Sequence, residues 1–354
     1  MDLRYTRLAN LLLTYSIEAK HGEHIWIRAS GLESLKLGRE VYREALKLGA
    51  HPYLDITDET LSPSFFALAS DHHLTEPAKI EEFIVNWADK IVTLVGEDNT
   101  RALSDINPEK LVLKAQTKKK VRSTILTKPW VLTWVPTHST AQDAGMSLDD
   151  FETFYFDATL RDWKKEGQAF TKLATRLNKG KEVEIVGAYT HLTMSIANRI
   201  WIPDNGECNM PGGEVFTAPI EDSVEGHVYF EFPVLRLGKL MRDIRLTFEK
   251  GVVTKATATE NEDFLHTLLD QDKGARKLGE LAIGLNKGVT RFMYNTLFDE
   301  KMAGTIHMAL GEAYEECGGK NKSHLHMDMV KEMRTPGSKF LVDGKIVLEA
   351  GKLL

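Results

Sequence analysis

Four short apolar runs, separated by amphipathic helical patterns, dominate the first half of this chain. The runs are EHIWIRAS around residues 24–30, HPYLDIT at 51–57, DKIVTLVGE at 89–97 and WVLTWVPT at 130–137. Between the first two runs, apolar residues recur at helical spacing, at Leu35, Val41, Ala45 and Leu48. A strand every thirty to forty residues with helices between them is typical of βαβ units and predicts a parallel, doubly wound sheet.

The second half alternates apolar and polar residues with period two, as in GVVTKATATE and KFLVDGKIVLEAGKL. The latter contains Asp343-Gly344, a strong hairpin signal. This half is therefore predicted to be mostly antiparallel. A helix, DWKKEGQAFTKLATRLNKG, separates the halves and ends at Gly180. We predict an α/β N-terminal domain with a mostly parallel sheet over residues 1–180, and an α+β, metal-binding C-terminal domain over 181–354.

Composition narrows the class of protein. The chain has 354 residues, 42% of them hydrophobic and 27% charged, with a net charge of −6. This balance is that of a globular protein and argues against a nucleic-acid partner. No apolar run approaches the ~20 residues that cross a bilayer, and the first residues lack a signal-peptide layout. Cys208 and Cys317 are too few for a disulfide scaffold. We therefore predict a cytoplasmic protein with no membrane partner.

Residues 323–330, SHLHMDMV, alternate polar and apolar side chains. In a β-strand one face would carry His324, His326 and Asp328. The other face would bury Leu325, Met327 and Met329. Two interpretations follow: the polar row converges on a metal ion, or it is an ordinary solvated strand face.

Three further stretches place acids or imidazoles beside small or apolar neighbours. In NMPGGEVFTAP, Glu214 follows a Pro-Gly-Gly turn, and in LGELAIGLN, Glu280 shares its strand face with small residues that leave room for a bound species. In DEKMAGTIHMALGEAY, His307 lies on an apolar strand, with Glu300 upstream and Tyr314 downstream. Taken singly, an edge glutamate or a hydrogen-bonded core histidine explains each equally well.

Together these residues suit a pair of divalent cations such as Zn²⁺, Co²⁺, Mn²⁺ or Mg²⁺. Two ions ~3.5–4 Å apart need about five or six ligands, usually with a bridging carboxylate. The sequence lacks the motifs of other common sites. It has no HExxH of a mononuclear zinc protease, no GxSxG of a serine hydrolase, no GxxxxGK[ST] phosphate-binding loop and no GxGxxG after a predicted strand. Neither cysteine has the setting of an activated thiolate.

The same stretches resemble the aminopeptidase T family of metallo-aminopeptidases. The likeness rests on NMPGGEVFTAP, GELAIGLN, FDEKMAGTIHMALGEAY and NKSHLHMDM, in that order. It extends to LLLTYSIEAKHGEHIWI and PTHSTAQDAGMS, and so covers nearly the whole chain. Two departures stand out: Gly212-Gly213 replaces part of the family's NMPDGE string, and the spacer between Glu300 and His307 is longer than in FDENAS…H.

The resemblance implies a two-domain metal-dependent aminopeptidase, a homodimer that releases N-terminal amino acids from peptides through metal-activated water. It also implies two divalent metal ions, of which Zn, Co, Mn and Mg are candidates. The implied ligands are Glu214, Glu280, Glu300, His307, His326 and Asp328. Glu280 would bridge the ions and act in catalysis, and Tyr314 would be a second catalytic residue. His324 matches no family ligand and is expected to be structural.

Two other functions remain open from the sequence. A dinuclear phosphoesterase would use a similar ligand set, although such sites tend to be richer in aspartate and to carry cations for the phosphate. A non-catalytic protein that binds a small ligand and holds a structural metal is the other alternative, although structural zinc sites favour cysteine.

Overall fold

The computed structural model describes residues 2–354, which form two compact units. The first unit ends at Arg161 and also includes Gly206–Pro211. The second comprises Asp162–Asn205 and Gly212–Leu354.

The helices have amphipathic or capped sequences and none is long. In chain order they are α1 (Leu3–Leu11), α2 (Leu35–Lys47), α3 (Leu61–Leu68), α4 (Asp71–Thr75), α5 (Lys79–Trp87), α6 (Pro108–Thr117), α7 (Lys119–Ile125), α8 (His138–Asp143), α9 (Leu148–Thr159), α10 (Trp163–Leu177), α11 (Glu262–Leu269) and α12 (Thr296–Asp299). A π-helical turn at Leu12–Ser16 extends α1, and 3₁₀ turns occur at Leu32–Ser34 and Glu315–Cys317. Within residues 2–354, no helix is long and apolar enough to cross a bilayer.

The strands fall into parallel and antiparallel sets. In chain order they are β1 (His24–Ser30), β2 (His51–Thr57), β3 (Lys90–Val95), β4 (Trp130–Trp134), β5 (Glu182–Gly187), β6 (Thr190–Ser195), β7 (Ile202–Asp204), β8 (Asn209–Met210), β9 (Glu214–Thr217), β10 (Glu225–Phe230), β11 (Val234–Arg236), β12 (Lys239–Met241), β13 (Ile244–Glu249), β14 (Val252–Thr257), β15 (Leu278–Gly284), β16 (Thr305–Gly311), β17 (His326–Glu332), β18 (Lys339–Val342), β19 (Lys345–Glu349) and β20 (Lys352–Leu353).

The first unit contains the predicted parallel sheet. Its strand order is β2-β1-β3-β4-β8, and every pairing in it is parallel. The four predicted apolar runs are β1 to β4, so the βαβ prediction is confirmed. On α2 the middle of the predicted apolar face, Val41 and Ala45, is buried together with Leu37. Leu35 and Leu48 are only half-buried because they lie at the two ends of the helix.

The second unit contains an eight-stranded and a five-stranded antiparallel sheet, as the period-two pattern predicts, together with the two-stranded sheet β11-β12. The eight-stranded sheet has the order β14-β13-β10-β6-β5-β18-β19-β20, and the five-stranded sheet has the order β17-β16-β15-β9-β7. The predicted hairpin joins β18 to β19, with Asp343 at φ 49° and Gly344 at φ 73°. Positive φ at both turn residues is what a two-residue hairpin loop requires.

The first unit ends earlier than the boundary predicted at residue 180. Helix α10 packs against β7 and β9 and therefore belongs to the second unit. It ends at Leu177 with Asn178 as its C-cap, so Gly180 lies beyond the helix and is not its capping glycine.

The five-stranded sheet of the second unit has a fully buried centre. Every residue of β15 and of β16 is buried. Leu281, in the middle of β15, is 0% exposed, and it pairs with Met308 on one side and Thr217 on the other. The core behind this sheet therefore holds the strands in place.

We predict that Leu281→Ala lowers the free energy of unfolding by about 2–5 kcal/mol, because it removes buried methyl groups and leaves a cavity. Leu353→Ala, on the edge strand β20 at 46% exposure, is the control and should change it by less than about 0.5 kcal/mol. Urea denaturation followed by circular dichroism measures both. Equal effects of the two substitutions would contradict this account of the core.

Candidate metal centre

The candidate ligands lie on one face of the sheet formed by β17, β16, β15, β9 and β7. Ala309 in β16 pairs with Glu280 on one side and Asp328 on the other. Ala282 in β15 pairs with His307. Because paired residues share a face, small alanines lie between the acidic and imidazole side chains and leave room above the sheet.

The predicted burial of the apolar row in residues 323–330 is confirmed, although the strand begins only at His326. Leu325, just before β17, and Met327 and Met329 within it are 0–1% exposed. His326 and Asp328 alternate with them and lie on the ligand face. His324 is exposed, precedes the strand, and joins none of the candidate ligand groups.

A glycine turn places Glu214 at the start of β9. Gly213 has φ 116°, and a Cβ atom there would lie 2.7 Å from Cβ of Asn286. The Asn286 amide Nδ2 donates a hydrogen bond of 2.9 Å to the carbonyl oxygen of Gly212. This buried asparagine therefore fixes the turn that directs the Glu214 carboxylate, and the close approach requires glycine.

The six predicted ligands form three overlapping groups. In each group one nitrogen or oxygen atom per residue lies within 4.8 Å of the others. We name them the Glu214 group (Glu214, Glu280, His307), the His326 group (Glu280, His326, Asp328) and the Glu300 group (Glu300, His307, Asp328). Glu280 belongs to the first two, as a carboxylate shared by two ions would.

Each imidazole lies between carboxylates. Nε2 of His307 is 3.0 Å from Oε2 of Glu214 and 3.6 Å from Oε1 of Glu280. Nε2 of His326 is 3.2 Å from Oε2 of Glu280 and 3.5 Å from Oδ1 of Asp328. Glu280 thus presents one oxygen to each imidazole.

Several of these buried atoms lack hydrogen bonds. Among the residues that the structure describes, Oε2 of Glu214, Oδ1 of Asp328 and Nδ1 of His307 have no hydrogen-bond partner. The imidazole nitrogens nearest to the two oxygens, Nε2 of His307 and Nε2 of His326, are close enough to donate but poorly aligned to do so. An unsatisfied buried carboxylate oxygen is costly. A divalent cation bound by oxygen and imidazole ligands would satisfy them, so the residues fit the predicted metal.

The ring of His326 is oriented by the main chain. Its Nδ1–H donates a hydrogen bond of 3.0 Å to the carbonyl oxygen of Glu312. This contact leaves Nε2 directed at Glu280 and Asp328, and such outer contacts set the tautomer of metal-binding histidines.

Lys301 is the main feature that the sequence analysis missed. It is fully buried, and its ammonium Nζ lies 2.5 Å from Oε1 of Glu214, 2.6 Å from Oε1 of Glu300 and 3.3 Å from Oδ2 of Asp204. Asp204 was also missed; it pairs with Glu214 across β7 and β9. The only sequence signal was that Lys301 directly follows a predicted ligand, and a lysine in that position is usually a surface residue.

Opposing effects set the pKa values around Lys301. Burial alone would raise the pKa of Glu214, but the charges of Lys301 and His307 outweigh it and hold that pKa below its ordinary value. Burial raises the pKa of Glu300 to about 8, and the Lys301 charge offsets this only in part. Burial alone would lower the pKa of Lys301, but three carboxylates raise it well above its ordinary value. Lys301 is therefore an ammonium ion.

The carboxylates also stabilise the charged form of both imidazoles. Burial acts to lower the pKa of His326, but Asp328 and Glu280 raise it to about 12. The pKa of His307 is likewise raised well above its ordinary value, against burial, by Glu214 and Glu280. A cation that binds these nitrogens must therefore displace protons.

Tyr314 borders the same site. Its ring centroid is 5.3 Å from that of His326 and 5.3 Å from that of Phe216. The negative charge of Glu280, followed by burial, raises the pKa of the Tyr314 hydroxyl far above its ordinary value. The hydroxyl therefore stays protonated and can act as a hydrogen-bond donor, while the tyrosine as a whole is 40% exposed.

We predict that Gly213→Ala weakens Zn²⁺ binding about 10–100-fold, because the new Cβ displaces the turn that directs Glu214. Gly337→Ala is the matched control: it has φ 85° but no atom within 4 Å of the added Cβ. Both variants carry a backbone strain of about 1–3 kcal/mol, so only a difference in Zn²⁺ affinity, measured by competition with a chromogenic chelator, reports on the site. Equal Zn²⁺ affinities would contradict the role given to this turn.

Comparisons with known proteins give the family of this chain. Residues 1–352 match the family model described as "Thermophilic metalloprotease (M29)". Aminopeptidase 2 of Geobacillus stearothermophilus is 27% identical over 350 residues, covering 87% of this chain and 83% of that protein. Aminopeptidase T of Thermus thermophilus is 27% identical over 373 residues, covering 91% and 90%.

A solved structure shares the fold. Wild-type AmpT from Thermus thermophilus superposes with a TM-score of 0.88 at 24% sequence identity, and the match covers 99% of each chain. The predicted fold class, an α/β domain followed by a mostly antiparallel domain, is thereby confirmed. Because the family model spans nearly the whole sequence, the chain belongs to the thermophilic metalloprotease (M29) family.

Proposed function

We propose that this protein is a metal-dependent aminopeptidase that releases N-terminal amino acids from peptides. Membership of a metalloprotease family and similarity to proteins named aminopeptidases support the reaction class. The observation that carries the proposal is Glu280, which offers one oxygen to each of two imidazole–carboxylate groups.

In the proposed site, Glu280 would be a ligand of both divalent ions. Glu214 and His307 would hold one ion, and His326 and Asp328 would hold the other. Glu300 has one oxygen on Lys301 and lies close to His307 and Asp328, so it would be an additional ligand. The ligand chemistry accommodates Zn²⁺, Co²⁺, Mn²⁺ and Mg²⁺. When bound, such ions polarise a carbonyl group and lower the pKa of a water molecule.

The side chains around these positions supply the remaining chemistry. The Glu280 carboxylate is placed to orient the attacking water and accept its proton. The protonated Tyr314 hydroxyl donates a hydrogen bond to the oxyanion that develops on the scissile carbonyl. These two residues are the proposed catalytic pair.

The free N-terminus of the substrate is inferred from the similarity to proteins named aminopeptidases. Among the described residues, the site brings together five carboxylates and a single lysine; the carboxylates are Asp204, Glu214, Glu280, Glu300 and Asp328. Their negative charge would balance two divalent ions and the lysine.

The position of the lysine argues against a phosphoesterase. Lys301 is the lysine of the site, and its three carboxylate contacts leave it buried and unable to meet a phosphate. A structural metal in a non-catalytic binding protein fits less well, because the candidate groups contain no cysteine among the residues that the structure describes.

The assembly and location of the protein are further proposals. The homodimer rests on the resemblance to the aminopeptidase T family, and the cytoplasmic location rests on the small number of cysteines. Size-exclusion chromatography with light scattering tests the first, and fractionation of cells tests the second.

We predict that Glu280→Gln lowers the rate of leucine p-nitroanilide hydrolysis by about 10²-fold or more, because the amide cannot accept the proton of the attacking water. The side chain keeps its shape, so the circular dichroism spectrum should not change. Glu316→Gln, an exposed residue of the 3₁₀ turn Glu315–Cys317, is the control with unchanged activity. An active Glu280→Gln protein would refute the assigned role, and hydrolysis of an aryl phosphate in place of the anilide would favour the phosphoesterase.

We also predict that binding of Zn²⁺ to the metal-stripped protein at pH 7 releases protons. The raised pKa values of His307 and His326 mean that both imidazoles are protonated before the ion binds. Affinity should therefore fall as the pH decreases. Calorimetry in buffers of different ionisation enthalpy measures the number of protons released, and His326→Ala should reduce it. A binding enthalpy that is the same in every buffer would contradict the prediction.

A further inference from the structure

Lys301 contacts one side of the proposed centre and leaves the other side untouched. Its ammonium group donates hydrogen bonds to Glu214 and Glu300 and forms an ion pair of 3.3 Å with Asp204. Neither Glu280 nor Asp328, the acids of the His326 group, is among these partners. Both groups consist of carboxylates and one imidazole, so their ligands alone do not distinguish them. The contact with Lys301 does.

The backbone of Lys301 is held on both sides. Its amide donates a hydrogen bond of 3.0 Å to the carbonyl oxygen of Phe298, and its own carbonyl accepts one of 2.8 Å from the amide of Asn286. The side chain is 1% exposed. The ammonium group therefore stays in the site, because moving it away from the carboxylates would place an unpaired charge in the protein interior.

This lysine weakens the Glu214 group as a cation site in two ways. One oxygen of Glu214 is occupied by the ammonium, which leaves only Oε2, the atom facing His307, for an ion. An ion bound there would share this carboxylate with the ammonium and be repelled by it at short range in a buried environment.

The His326 group has no comparable neighbour. Arg236 donates a hydrogen bond of 2.8 Å from Nη1 to the carbonyl oxygen of His326. Within the described part of the chain it forms no ion pair with a site carboxylate, and its charge, like that of Lys301, acts on Asp328 without direct contact. The Lys301 ammonium therefore occupies no oxygen of Glu280 or Asp328.

We propose that Lys301 makes the two ion positions unequal, so that the His326 group retains one ion tightly and the Glu214 group binds a second, exchangeable ion. Lys301 is then a positioning residue: its ammonium group neutralises part of the carboxylate charge that the second ion would otherwise neutralise. The inference rests on the proposed function, because it assumes that the site binds two ions. Its consequence is that occupancy of the second position follows the concentration of available metal.

The wild-type protein provides the first test. Metal-stripped protein is titrated with Co²⁺ by calorimetry, and the cobalt retained after gel filtration is counted by mass spectrometry. We expect two binding steps that differ at least about tenfold in Kd, with one ion per chain retained. Two ions bound with equal affinity would overturn the inference but leave the proposed function standing, whereas no binding of Co²⁺ would overturn both.

Two lysine variants then test the cause. Lys301→Met removes the charge at similar length and should tighten the second step about tenfold or more, so that a second ion is retained. Lys331→Met is the matched control: Lys331 is equally buried but pairs with Glu231 outside the candidate ligand groups. It should bind Co²⁺ as the wild type does. An unchanged second step in a folded Lys301→Met protein would refute the proposal.

Histidine variants locate the two ions if Lys301→Met fails to fold. His326→Ala should lose the ion that survives gel filtration, and His307→Ala should retain it while losing the weak step. The reverse pattern would show that the tight position lies beside Lys301 and would overturn the inference. All counts are made on variants that elute from gel filtration as the wild type does.

Discussion

The hydrogen-bonded register of β15, β16 and β17 is the constraint on which the proposed site depends. It pairs Ala309 with Glu280 and with Asp328, and Ala282 with His307. A slip of one residue in one of these strands would turn its ligands to the opposite face, into the apolar core. That core, which includes Leu281, Met308 and Met329, makes such a slip costly. The packing beneath the sheet and the chemistry above it are two consequences of the same pairing.

Electrostatics is the second constraint on the site. A cluster of buried carboxylates is stable only with compensating cations. Here two imidazoles and one fully buried lysine provide part of that compensation, and one oxygen each of Glu214 and Asp328 is left without a hydrogen bond. A divalent metal is the natural complement. The site of this M29 metalloprotease can thus be understood as a balance between fixed protein cations and bound ions.

The candidate ligands on regular strands are visible in the sequence. Glu280, His307, His326 and Asp328 all stand in period-two patterns, where an apolar row marks the buried face and identifies the polar row opposite. Glu214 and Glu300 lie at a strand start and just after a short helix, so no such pattern marks them. The Pro-Gly-Gly turn indicated Glu214, and the resemblance to a known family indicated Glu300 as a ligand. Which role each ligand has in the proposed chemistry is still a proposal.

By itself, the sequence determined the parallel sheet of the first unit, the antiparallel character of the second and most of the polar residues that meet, because periodicity and turn chemistry are local properties. Tertiary structure alone decided that α10 joins the second unit and that Asp204 and Lys301 enter the site. The reason is physical: Asp204 reaches Glu214 only through the pairing of β7 with β9. The burial of Lys301 likewise depends on three carboxylates, two of them distant in the chain, that no local pattern brings together.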